Sequence, residues 1–357
     1  MNETKLYYDK PIFGIDIGFN SIKVMQLRAD GRDKKHRVTG YGATHFDQSA
    51  FKGGEIINPE KIAAATQELF DKHLVGNIST RRAAVSVPAS KTFNRTVQFP
   101  KIDKKTDLEQ AIRLEAEQYI PVPLDDLYID YSIVSQDEKG TEVLVTAAPK
   151  KTIDSYITTL HLLGLEPIAV ETTIAASGRL FQQTEQDNMP SILIDFGSLS
   201  SDVTIYDKTI VVTGTISGGG DNFSELIRKK LGVSKAEADI IKTKYGLGVS
   251  KKQQEINDTL APVLDELVRE IKRMIRYYTE RKNSEQNIEQ IVTLGGGANM
   301  PGLSEYLTNS LRMPVRMCNP WESLPFGNLQ PPNQVEKSTY ITVAGLALMN
   351  PKEVFHD

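Results

Sequence analysis

Apolar runs separated by short polar breaks lay out the elements of this chain. The stretch from Phe13 to Leu27, FGIDIGFNSIKVMQL, carries two such runs, Ile12 to Ile17 and Ile22 to Leu27, around the polar break Gly18-Phe19-Asn20-Ser21. This pattern predicts two strands joined by a tight turn. Half a chain later, Ile192 to Tyr206, ILIDFGSLSSDVTIY, repeats the arrangement, with Asp195-Phe-Gly197-x-x-Ser200 standing where the first copy has Asp16-Ile-Gly18-x-x-Ser21. A self-similar element at that spacing predicts two related lobes, each presenting a turn to a shared cleft.

Between and after the hairpins the same reading supplies the other elements. A third strand is predicted over Val38 to Phe46. Gly53-Gly54 and Asn58-Pro59 then precede a helix over 60–73, and AAVSV at Ala83 to Val87 reads as a short buried strand. From about Ser90 the pattern becomes strand, helix, strand, strand, helix: 92–99, 106–120, 127–134, 142–148 and 151–163, the last closed by Gly164. Thr106 with Glu109 reads as a capping box, Leu108, Ile112 and Tyr119 form one stripe, and Pro121 and Pro123 stop that helix. This run is a compact module inserted in the first half.

A strand at 165–170 and a helix at 171–181 follow, and the polar stretch 182–190 is the expected boundary between halves. The second half continues with a strand at 210–216, a helix beginning at Asn222, and charged helices at 234–245 and 258–281. A buried strand at 288–294 runs into Gly295-Gly296-Gly297, then come a helix within 299–311, a short strand at 315–318 and an apolar helix at 341–349. The organisation expected is 11–89 with 156–188 as the first lobe and 90–155 as the inserted module. The second lobe is then 189–221 with 286–349, carrying a helical subdomain at 222–285.

Composition narrows the function classes. With 357 residues, 39% hydrophobic and 25% charged, the chain has room for two cores and reads as an ordinary globular protein. A net charge of −4 and short basic groups such as Lys34-Lys35-His36-Arg37 argue against nucleic acid as a partner. The single cysteine, Cys318, excludes an internal disulfide framework and fits a reducing compartment. Residues 1–10 read as a loose leader without the apolar core of a signal peptide, and the run 341–349 is too short to span a bilayer.

The candidate chemistry gathers at the turns. Gly18, Asn20 and Ser21 could cup an anion such as a phosphate, with Asp16 placed to reach a hydrated Mg²⁺ beside it. Gly197, Ser198, Ser200 and Asp195 repeat this set. Lys23, on the strand after the first turn, faces either the anion or solvent, and Asp202 either shapes the second loop or positions water. Gly295, Gly296 and Gly297 offer bare backbone to a nucleoside, or are a flexible loop. Asp239 and Lys242 share a helix face, as a surface ion pair or as ribose or base contacts. Glu171 is the carboxylate placed to orient an attacking water. The five histidines, His36, His45, His73, His161 and His356, show no metal spacing. Neither a Walker loop nor a Gly-x-Ser-x-Gly elbow is present.

In this order, the two phosphate hairpins and the Gly-rich loop resemble the actin, sugar kinase and heat-shock ATPase superfamily over nearly the whole chain. In detail the chain resembles the FtsA-like PilM family of type IV pilus assembly. The residues that carry this are IRLEAEQYIP at 112–121, LGLEP at 163–167, LGGGANMPGL at 294–303 and Asn319-Pro320-Trp321-Glu322. The first hairpin, Lys242-Thr-Lys-Tyr-Gly246 and the Gly-rich loop are shared with FtsA, whose C-terminal membrane-binding helix has no counterpart in Asn350 to Asp357.

The resemblance implies an α/β fold, actin-like (ribonuclease H-like) and duplicated, with two lobes and a small inserted α+β subdomain. It also implies ATP with Mg²⁺ between the lobes. Asp16, Gly18, Asn20, Ser21 and Lys23 would face the phosphates from one side, and Asp195, Gly197, Ser198 and Ser200 from the other. Asp239, Lys242 and Gly295 to Gly297 would face the nucleoside, and Asp16 and Asp195 would hold the metal through water. Leu199, where relatives often have a smaller residue, is expected to narrow the second turn, which tells against fast hydrolysis.

The resemblance further implies a cytoplasmic protein that binds the N-terminal peptide of a PilN-like bitopic inner-membrane protein in a groove by the inserted module. The chain would meet pilus motor or platform proteins, and the membrane only through its partner. Two alternatives belong to other classes: a sugar or metabolite kinase, which needs a substrate-binding aspartate that the first half does not offer, and an FtsA-like filament protein of cell division.

Overall fold

A computed structural model describes residues 10–30, 35–102, 104–138, 140–184, 189–282, 287–350 and 354. The leader apart from Lys10, the middle of the boundary stretch 182–190 and most of the tail after Asn350 therefore lie outside the described residues.

The first hairpin forms as its pattern requires. Strand β1 (Phe13–Ile17) is buried throughout and pairs antiparallel with β2 (Ser21–Asp30), placing Asp16 opposite Lys23. Strand β3 (Lys35–His45) extends the sheet, and a small hairpin of β4 (Phe51–Lys52) and β5 (Glu55–Ile56) follows. Helix α1 (Pro59–Glu68) starts where the Asn58 side chain accepts from the Lys61 N–H and where Pro59 needs no donor. It loosens into a π turn over Leu69–His73 before β6 (Leu74–Gly76) joins β3 and β7 (Arg82–Val87) joins β1 in parallel.

The inserted module is a three-stranded antiparallel sheet of β8 (Phe93–Phe99), β9 (Leu127–Asp137) and β10 (Gly140–Pro149), with β10 in the centre. Helix α2 (Lys105–Tyr119) lies on it through Leu108, Ile112 and Ala116. The expected capping box is absent: the helix begins one residue earlier, Thr106 sits inside its first turn and its hydroxyl bonds the neighbouring Asp107 carboxylate at 3.4 Å. Helix α3 (Lys150–Leu162) puts Ile153, Tyr156 and Leu160 into the core of the first sheet, so the break expected at 155 would divide it.

After β11 (Glu166–Thr172) and α4 (Thr173–Thr184), the second sheet is built from β12 (Ser191–Phe196), β13 (Ser200–Asp207) and β14 (Thr209–Ser217). Helices α5 (Gly220–Leu231), α6 (Lys235–Lys244) and α7 (Gln253–Lys282) intervene before β15 (Gln290–Leu294). Helix α8 (Leu303–Leu311), β16 (Val315–Met317), α9 (Gln334–Lys337) and α10 (Ile341–Ala347) complete the order.

The duplication read from two hairpins is carried through both sheets. The first runs β11-β7-β1-β2-β3-β6 and the second β16-β15-β12-β13-β14, so the first five strands of one have counterparts in the other. Each central hairpin adds one antiparallel strand on one side and a parallel strand on the other.

Helices α4 and α10 lie between the sheets, in a core drawn from both lobes that includes Met25, Phe181, Tyr206, Val292, Trp321 and Val343. The final apolar helix, expected with the second lobe, instead packs on β1, β2 and β7 and against α4. Its approach is close enough that a Cβ on Gly345 would overlap the Ala176 carbonyl and one on Gly14 the Val343 carbonyl. Among the described residues no helix is long and apolar enough to cross a membrane.

Candidate functional site

The two turns are built alike. In the first, the Gly18 N–H donates to the Ser21 carbonyl at 2.9 Å, and in the second the Gly197 N–H donates to the Ser200 carbonyl at 3.0 Å. The second turn rests on the start of α5, where the Gly220 N–H donates to the Gly197 carbonyl at 2.8 Å and the Asp221 N–H to the Ser198 carbonyl at 2.8 Å. Both turns open onto one cleft of about 340 Å³, within the size range of small-molecule sites.

Asp16, Gly18, Asn20, Ser21 and Lys23 line this cleft from the first sheet, and Asp195, Gly197, Ser198, Ser200 and Asp202 from the second. Gly295, Gly296, Gly297 and Lys242 are also in its wall. Leu199 is 47% exposed and outside the lining, carried on the surface of the second turn.

The charges in the cleft are unevenly compensated. Asp16 is buried, accepting from the Ser86 hydroxyl at 2.6 Å on one oxygen and from the Lys23 ammonium at 3.3 Å on the other. Lys23 also donates to the Ser21 hydroxyl at 3.1 Å. Among the described residues Asp195 has no such donors. Burial, with Asp202 and then Asp16 nearby, pushes its carboxyl up to about 7. Burial also raises Asp202 to about 6, although the Thr215 hydroxyl donates to it at 2.6 Å. Lys242 enters from α6, donating to the Gly220 carbonyl at 2.8 Å.

A carboxyl whose folded pKa lies above its unfolded value near 4 holds its proton more tightly when folded. Its contribution to stability is complete below that unfolded value and is lost as pH rises through the folded one. Asp195→Asn is therefore expected to gain in melting temperature relative to wild type between pH 5 and pH 8, as about 7 is crossed. A difference between the two proteins that stays level across that range would rule out a strained, charged Asp195.

Two expected site residues are placed elsewhere. Glu171 lies on β11 rather than on a helix, outside the cleft lining, with both oxygens engaged by Arg179, one of them at 2.7 Å. An arginine two turns into the following helix neutralises the carboxylate that spacing alone left free for water. Asp239 also stays outside the lining; it accepts from the Ser224 hydroxyl and from Lys242 at 3.4 Å, so it orients Lys242 instead of facing the cavity.

The glycine loop is likewise only partly bare. A Cβ on Gly295 would overlap the Asp195 carboxylate, and one on Gly297 would meet the Phe196 Cβ at 2.8 Å, so these two serve packing against β12. Gly296 meets only the Thr339 methyl, at 3.4 Å.

Sequence reasoning set aside His45, which lines the cleft, and missed Ser86, Thr173, Thr243, Ser338, Thr339 and Thr342 there. Ser86 had a signal, being a polar residue inside the otherwise apolar run Ala83 to Val87 of a fully buried strand. The others sit at helix starts or on a helix flank, where hydroxyls are common for local reasons.

The family described as type IV pilus assembly protein PilM matches the chain over residues 14–350. Among solved structures, a PilM-PilN type IV pilus biogenesis complex is 22% identical with a TM-score of 0.81, covering 97% of this chain and 99% of that one. The ethanolamine utilization protein EutJ from Carboxydothermus hydrogenoformans is 16% identical with a TM-score of 0.56, over 96% and 91% of the two chains. An MreB of Spiroplasma citri bound to AMPPNP is 12% identical with a TM-score of 0.53, over 94% and 95%. These likenesses show an actin-like fold, as the resemblance implied.

Proposed function

The chain belongs to the PilM family and is an actin-like component of the type IV pilus assembly machinery, and on that premise we propose that it is a nucleotide-binding scaffold. Its lobes close on ATP with Mg²⁺, and its inserted module receives the N-terminal peptide of a PilN-like inner-membrane protein. The observation that carries the nucleotide half of this reading is the cleft lined by matching turns from both sheets. The residues present fit the ligand. Lys23 and Lys242 face the cavity from opposite lobes as cations for an anionic ligand, and Asp16, Asp195 and Asp202 line it as carboxylates for a hydrated cation. When bound, the Mg²⁺-triphosphate supplies anionic charge for the two lysines and positive charge for the carboxylates.

The role of nucleotide here is conformational. A ligand touching both lobes favours the closed arrangement by its differential affinity for it. The kinase alternative gains nothing from the cleft, whose aspartates are those of the two hairpins together with Asp202 and Asp221. Glu171, the proposed orienter of water, is tied to Arg179, which fits binding better than rapid hydrolysis.

For the partner peptide, the supporting feature is a second groove where the module meets the first lobe, about 700 Å³, lined by Pro59, Val122, Pro149, Lys150 and Lys151 among others. Its apolar residues Pro59, Val122 and Pro149, bordered by charges of both signs from Glu55, Asp126, Lys150, Lys151 and Asp154, suit an extended peptide. On this reading the protein works on the cytoplasmic side and reaches the inner membrane and the pilus motor through this partner.

Calorimetry with a synthetic PilN-like N-terminal peptide tests the scaffold reading. Binding that weakens at least about tenfold in Val122→Asp is expected, a loss of about 1.4 kcal/mol. Failure of the peptide to bind, or ATP turnover that a sugar stimulates, would overturn it.

A further inference from the structure

The sheets differ in how their outer strands are closed to further pairing. β4, β5, β6 and β16 are two or three residues long, and β11 carries Pro167 with a break in register beside it. In the inserted module, the outer strand β8 lies against β14 of the second lobe, where the buried Thr96 hydroxyl donates to the Val211 carbonyl at 3.2 Å. The other outer strand, β9, has none of these protections. It is eleven residues long without Lys or Pro, keeps its register with β10 from Leu127 to Ile133, and pairs with β10 alone among the described residues. The Tyr131 N–H donates to the Asp130 carboxylate at 2.8 Å, a local bond that the carbonyl of an added strand can replace.

A groove of about 680 Å³ follows this edge, with Ile129, Tyr131 and Ile133 of β9 and Ile112 of α2 as its apolar residues, Ile133 being 52% exposed. Lys105, Glu109 and Arg113 of α2 also line it, and Glu117 continues their row. These four exposed side chains recur every fourth residue on one helix face and alternate in sign, and none has an ion-pair partner among the described residues.

A row of alternating sign is its own complement when a second copy runs the opposite way. A twofold axis that sets one β9 antiparallel on another also sets α2 antiparallel on its mate. Centred at Tyr131, it brings Ile129 opposite the partner's Ile133 and Asp130 opposite the partner's Ser132, so apolar side chains meet on the α2 face and no like charges stand opposite. The same axis passes between Glu109 and Arg113, which line the groove together with Tyr131. Glu109 then faces the partner's Arg113, and Lys105 the partner's Glu117.

We propose that the free edge of β9 is a docking surface for a second copy of this chain, joining the two modules into one six-stranded sheet with their α2 helices side by side. The contact is isologous, so it closes at two copies and builds no filament. It goes beyond the scaffold reading above and uses neither the cleft nor the peptide groove.

Sedimentation of the full chain over a concentration series, with no nucleotide or peptide added, tests the assignment. Wild type should pass from one to two chains as concentration rises and stop there. Ile133→Lys, a charge on the exposed apolar rim of the groove, should weaken dimerisation at least about tenfold. Glu109→Lys and Arg113→Glu should each weaken it by a similar factor, because by symmetry each change sets like charges together twice. The Glu109→Lys/Arg113→Glu double variant should recover wild-type affinity, which a loss of folding could not mimic.

A wild-type chain that stays monomeric would overturn the proposal and leave the edge to a strand of another protein. Assembly that continues past two copies, a dimer indifferent to Ile133→Lys, or single reversals that the double variant does not rescue would each overturn it as well.

Discussion

Gly345→Ala is expected to cost about 3 kcal/mol or more of folding stability, an unusually large effect for one added methyl. The reason is the crossing of α4 and α10 between the sheets. The new Cβ would overlap the carbonyl of Ala176, a backbone atom that cannot turn aside, and relieving it means parting two helices whose other faces are already packed on a sheet. Arg179 adds to the constraint, since it donates to the Gly345 carbonyl at 3.1 Å while it holds Glu171. Gly53→Ala is the control. That glycine has a φ of +61 and nothing within 4 Å of its added Cβ, so it isolates backbone strain, about 1 kcal/mol. Denaturant melts of both variants decide the matter, and equal losses would show that the crossing has room to give.

The second large effect is at the cleft. Gly295→Ala places a Cβ on the Asp195 carboxylate and the Phe196 carbonyl, at a φ of +78 that side chains avoid. Both stability and nucleotide affinity should fall, the first by about 2 kcal/mol and the second at least about tenfold. Gly296→Ala separates the two roles. Its Cβ would meet only the Thr339 methyl, at 3.4 Å, so stability should change by about 0.5 kcal/mol or less while any loss of affinity reports a ligand lying on that backbone. Unaltered AMPPNP affinity in Gly295→Ala would mean that Asp195 and the glycine loop do not share a ligand.

Much of this architecture was legible in the chain because it is local. A hairpin with apolar runs on both sides of Gly-x-x-Ser folds the same way twice, and both copies were readable from spacing alone; that Lys23 and Lys242 face the cleft with Asp16 and Asp195 was implied only by the family resemblance, since spacing left each lysine a solvent-facing alternative. What escaped depends on partners distant in sequence. The run 341–349 is apolar whichever sheet it covers, so periodicity predicted burial but not that it returns to β1. Glu171 looked free because Arg179 is on the next element, and Thr106 looked like a cap because a helix start is uncertain by a residue or two. The different surroundings of Asp16 and Asp195 also lay beyond reach, because Ser86 becomes a neighbour only when β7 lies alongside β1.

The return of α10 to the first sheet bears on how the polypeptide matures during synthesis. Domains of a nascent chain commonly fold in the order they emerge. Here β1, β2 and β7 precede α10 in the chain, so the apolar face that Val343, Leu346 and Ala347 will cover stays open until the strands and helices of the second sheet have been made and α10 follows them. The first sheet is thus sealed after the second has been synthesised, which leaves chaperones an interval in which to act on its unfinished face.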